Sequence, residues 1–71
     1  MTDWPAYAKG VLRSEMARRR ISYADLVRLF AEAGVKETEA NLRNKVSRGS
    51  FTAAFLFQCL SMMGVTTLHL N

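Results

Sequence analysis

The sequence predicts an all-α fold: one domain of four helices, followed by a short C-terminal β-strand. Three observations carry this reading. Apolar residues recur at helical spacing in four segments. Each segment follows a residue able to cap a helix and ends at a glycine or a cationic run. Finally, 71 residues allow a single domain, and a chain of this size hides only about 60% of its unfolded surface.

Asp3 is placed to cap a first helix whose opening turn holds Trp4 and Pro5. Trp4, Tyr7, Ala8, Val11, Leu12 and Met16 then form an apolar face, so this helix runs from Trp4 to about Arg19. Its other face carries Lys9, Arg13, Glu15 and Arg18. The closing Arg18-Arg19-Arg20 puts cations at the negative end of the helix dipole.

Ser22 and Asp25 have the spacing of a capping box, and Ile21 and Leu26 flank it as a hydrophobic staple. The second helix therefore starts at Tyr23, shows Tyr23, Leu26, Val27 and Phe30 on one face, and ends by about residue 33, ahead of Gly34. Lys36 to Glu39 make a polar connection in which Glu37 or Thr38 caps a third helix, about 38–48, closed by Gly49. Thr52 caps the fourth, about 53–63, with Phe51 and Leu56 at staple spacing and Gly64 at its end.

That fourth helix leaves only Ala54, Gln58 and Ser61 as a narrow polar stripe. Nearly all its circumference is expected to be covered, in the centre of the fold or at an interface. The β-branched segment at about 65–70 alternates Leu68 and Leu70 against Thr67 and His69, which is strand spacing. One strand in a helical chain has no partner, so it is expected to pair with its copy in a homodimer, with Leu68, Leu70 and the fourth helix at the interface.

Composition removes several classes of function. A single cysteine allows no internal disulfide, and no apolar run follows a basic start, so a reducing, cytoplasmic setting is expected. The most apolar stretch, Ala53 to Leu60, is broken by Gln58 and falls far short of the ~20 residues of a membrane span. His69 is the only histidine and Cys59 the only thiol, and no motif ties them together. Cys59 is simplest as a small core residue. No ligand cluster suits a metal, and the isolated glycines at 10, 34, 49 and 64 make no phosphate loop. Neither an enzyme nor a bound cofactor is expected.

Charge is more informative. The net charge is +4, divided as +3 over residues 1–20, −2 over 21–40 and +3 over 41–71. The third helix gathers Arg43, Lys45 and Arg48 with Asn41 and Asn44. Leu42 and Val46 point inward on its wheel, so Asn41, Asn44 and Arg48 share the outer face. Asparagine reads adenine and arginine reads guanine at base edges, and both also hold phosphates. Asn41, Asn44 and Arg48 are therefore candidates for base contacts, and Arg43 and Lys45 for phosphates. The same stripe also arises on an ordinary solvated helix face.

The order of these elements, with Ile21-Ser-Tyr-Ala-Asp-Leu26 opening the second helix and Val46-Ser-Arg-Gly49 closing the third, resembles the helix-turn-helix domain of phage-repressor-like transcriptional regulators. The similarity spans about Val11 to Leu70. It implies that the third helix enters the major groove of double-stranded DNA. The strings Ser22-Tyr-Ala-Asp-Leu26, Asn41-Leu-Arg-Asn-Lys45, Ser47-Arg-Gly-Ser-Phe51 and Ala54-Phe-Leu-Phe-Gln-Cys-Leu60 are similar, more narrowly, to a small bacterial family of single-domain proteins, a likeness that transfers no activity.

The chain departs from the repressor pattern in four ways. Thirteen residues separate Val35 from Gly49, more than in the compact motif, so either the turn is lengthened or the third helix extended. Phe30 occupies a position where the family has a small residue. Glu37 and Glu39 stand where they would repel phosphates. A strand replaces the usual fifth helix. The sequence therefore supports a dimeric DNA-binding regulator, with a protein-interaction module on the same scaffold as the alternative. RNA is less favoured, because the stripe lacks aromatic residues on which single-stranded bases stack.

Overall fold

Every helix starts where a side chain accepts a backbone donor that the first turn leaves unpaired. In the computed structural model, which describes residues 2–70, the helices are α1 (Trp4–Arg19), α2 (Tyr23–Glu32), α3 (Glu39–Arg48) and α4 (Ala53–Met62). Asp3 Oδ1 accepts from the Ala6 N–H at 3.1 Å. Ser22 Oγ accepts from the Asp25 N–H at 3.1 Å while Asp25 Oδ2 accepts from the Ser22 N–H at 2.9 Å, a reciprocal capping box. Thr38, rather than Glu37, caps α3 through Asn41 N–H at 3.1 Å, and Thr52 caps α4 through Phe55 N–H at 3.1 Å. Each such cap contributes about 1 kcal/mol.

Three helices end alike. A residue in the left-handed region (Arg20, Gly34 or Gly64) turns the chain. The next N–H then reaches back to a carbonyl five residues earlier: Ile21 to Met16 at 2.8 Å, Val35 to Phe30 at 2.8 Å and Val65 to Leu60 at 2.9 Å. The apolar residue after each turn packs on the core, as this kind of helix ending favours. α3 instead stops at Gly49 with no such return bond.

The core is built from pairs four residues apart, one pair from each helix: Leu12 and Met16, Leu26 and Phe30, Leu42 and Val46, Phe55 and Cys59. Residues at that spacing stand one above the other on a helix face. α3 packs against α1 and α2, and α4 packs against the same two helices. Phe30 fills the centre and stacks on Phe55 with ring centroids 6.1 Å apart, so the large residue serves as core. The connection between α2 and α3 is lengthened to residues 33–38, and α3 is an ordinary ten-residue helix.

Two expectations are corrected. Residues 65–70 form no strand, and no strand occurs among the described residues. A strand is held by a neighbouring ladder, which β-branched composition does not itself supply. The segment runs as irregular chain, with Val65 and Leu68 settled on the core and Leu70 left 69% exposed. Leu68 and Leu70 thus do not act as one face. Glu15, expected on the outer face of α1, is buried and compensated by Arg19 at 2.8 Å and Arg18 at 3.6 Å. Within the single chain Phe57 of α4 stands 61% exposed, which leaves the interface alternative for this helix open. No helix among the described residues is long and apolar enough to cross a membrane.

Candidate nucleic-acid interface

The buried side chains of α3 determine what it presents outward. With Leu42 and Val46 fully buried, Asn41, Arg43, Asn44, Lys45 and Arg48 all lie exposed. The five expected residues therefore share one helix, yet they are not equally available. Arg43 pairs with Glu39 at 3.0 Å and lies over the Tyr23 ring, 5.0 Å from its centroid. Lys45 pairs with Glu37 at 2.9 Å and lies 5.2 Å from the centroid of the Phe55 ring. Glu37 is largely shielded, its side chain only 11% exposed, so Lys45 and Glu37 form a lid over the core edge rather than a freely solvated pair. Asn41, Asn44 and Arg48 have no side-chain partner among the described residues.

α1 adds two cations beside the end of α3. Lys9 Nζ donates to the Ser47 carbonyl at 3.2 Å, and Arg13 Nη2 to Ser47 Oγ at 3.5 Å. Both sit where the negative end of the α3 dipole favours them. The arginine run at the other end of α1 has different work. Arg19 bridges Glu15 and the Met63 carbonyl, which lies 3.2 Å away just past α4. Lys9 and Arg13, four apart on a basic face, were visible in the sequence, but nothing local said which helix they would meet.

Past the end of α3, an open cleft of about 220 Å³ is lined by Lys45, Arg48, Ser50, Phe51, Thr52 and Phe55. No acidic residue follows Glu39 in the sequence, and the cleft lining combines two cations and two hydroxyls with the rings of Phe51 and Phe55. Cys59 and His69 form no site: the thiol is fully buried and pushed up to about 12 chiefly by that burial, while His69 is exposed on the final segment. Among the described residues, no group of three or more His, Cys, Asp or Glu side chains is arranged to hold a metal.

Fold and surface together define a small all-α domain whose third helix presents a polar and basic face, with Arg43 and Lys45 held in ion pairs. The chain belongs to the family described as Domain of unknown function (DUF6471), which it matches over residues 4–68. No curated protein and no solved structure matches the chain.

Proposed function

We propose that the domain is a cytoplasmic transcriptional regulator that binds double-stranded DNA with the outer face of α3 in the major groove. The observation that carries this reading is that Asn41, Asn44 and Arg48 project from a rigidly packed helix without internal partners. Side chains free of internal bonds can engage base edges without first breaking a contact, and Asn and Arg match adenine and guanine bidentately. Arg43 and Lys45 turn to phosphates as DNA competes with Glu39 and Glu37, and Lys9 and Arg13 extend the same positive surface. The resemblance of the α2–α3 sequence to phage-repressor-like domains supports this docking mode, with the lengthened 33–38 connection altering the angle.

Fluorescence anisotropy with a random-sequence duplex tests the proposal. Each neutralised phosphate adds roughly −0.9 to the log-log salt slope. Three such contacts would weaken binding about 40-fold between about 50 and about 200 mM salt. Arg48→Ala should then cost affinity. No binding at about 50 mM would end the DNA reading. A protein-interaction module is the second reading, favoured by the exposed Phe57 on α4. In that case Leu68→Asp would abolish assembly and nucleic acid would have no effect on it.

A further inference from the structure

Charge stops abruptly along this chain. Arg48 is the last charged residue, and the 23 residues that follow include no Asp, Glu, Lys or Arg. Of the 22 described residues from Gly49 onward, 17 retain exposure, so this third of the chain forms surface as well as core. On it Phe57 stands 61% exposed. Phe57 also forms one wall of a cleft of about 290 Å³ between α4 and the final segment, with Leu60, Ser61, Val65 and Leu68 on the other sides.

We infer that this face joins two copies of the chain about a two-fold axis, with Phe57 of each copy seated in the cleft of the other. An isologous contact uses one patch twice, so that patch must carry both the projecting group and the hollow that receives it. Phe57 and its adjoining cleft meet that requirement on one continuous surface. The lack of charge argues for the same occupant. A nucleic acid, an anionic surface or a charged protein is selected by complementary charges, and the residues that line this cleft carry none. Depletion of charged residues is, by contrast, what the centre of a homodimer interface shows.

Area is sufficient. A stable interface takes about 800 Å² from each partner, roughly a sixth of the 4877 Å² that the chain exposes. Asn41, Asn44 and Arg48 line no part of the cleft, so the contact is independent of the DNA reading and stands or falls without it.

Sedimentation equilibrium of the full chain without nucleic acid, from about 1 to about 100 µM, tests the inference. The expected result is a concentration-dependent species of twice 8.0 kDa. Phe57→Asp, at an exposed position, should keep the helical circular dichroism and weaken association at least about 30-fold, as loss of an interface hot spot does. Phe57→Ala should weaken it less. A wild-type chain that stays monomeric throughout overturns the inference and leaves the face to a different protein. A dimer that persists unchanged in folded Phe57→Asp overturns it as well.

Discussion

Gly49, at the end of α3, lies against the backbone of Pro5, at the start of α1. A Cβ added to Gly49 would overlap the Pro5 carbonyl oxygen and stand 2.6 Å from the carbonyl carbon. Because φ is also +68° there, glycine is required twice over, for conformation and for space. This contact anchors the end of α3 to α1, two residues from the carbonyl that Lys9 binds.

Gly34 is the natural control, with φ +82° and open space where a Cβ would go. Gly34→Ala should cost only the left-handed strain, about 1–2 kcal/mol. Gly49→Ala must also move a backbone, and should cost about 3 kcal/mol or more. At ~4–8 °C per kcal/mol for a domain of this size, thermal unfolding separates the two readily. Equal losses would show that the Pro5 contact is absent.

Tyr23 carries a buried hydroxyl with no partner among the described residues. An unsatisfied buried donor costs about 1–3 kcal/mol. Tyr23→Phe keeps the ring beneath Arg43 and should raise urea-unfolding stability by about 1 kcal/mol. Destabilisation by this substitution would mean that the hydroxyl has a partner.

Hydrogen bonding from the Ser22 backbone N–H, followed by the Ser22 hydroxyl and Arg28, holds Asp25 below the ordinary carboxylate value of 3.8. A lowered folded value means that this stabilisation is complete above pH 3.8 and is lost as pH falls through the lower folded value. Wild type should therefore lead Asp25→Asn most clearly near neutrality, and the gap should close under acid. Melting temperatures from pH 7 to 2 check this; a gap that widens in acid would refute it.

Glu37 restrains Lys45 across 2.9 Å. If α3 binds DNA, Glu37→Gln should raise affinity several-fold at low salt and steepen the salt slope by about one unit, the signature of one further cation freed for phosphate. Unchanged affinity and slope would mean that Lys45 never leaves the core edge.

The Cys59 thiol, fully buried and pushed up to about 12, should be inert in the native state, since the thiolate is the reactive form. A thiol-specific chromogenic reagent at pH 8 should label it only after urea unfolding. Rapid labelling of the folded chain would contradict this burial.

Much of the fold was legible in the sequence because it depends on interactions spanning three to five residues. Ser22 and Asp25 announce their reciprocal bonds by spacing alone, and Leu42 and Val46 at i and i+4 determine which side of α3 faces solvent. The outward position of Asn41, Asn44 and Arg48 follows from that one pair. Helix wheels failed where neighbours decide: Glu15 has a polar position on its wheel, and only its arginine partners and the fold around α1 make its burial tolerable.

The sequence by itself determined where helices start and stop and which face of α3 is polar, since caps, left-handed residues and helical periodicity act within a single turn or two. The tertiary structure decided which of those groups remain available. Lys9 reaches Ser47 across 38 positions, and Arg19 reaches Met63 across 44. Phe57 stays exposed on an otherwise apolar helix, and residues 65–70 lie down without becoming a strand. Such outcomes depend on which surfaces meet once the helices pack, and local spacing does not encode the partner of a side chain some forty residues away.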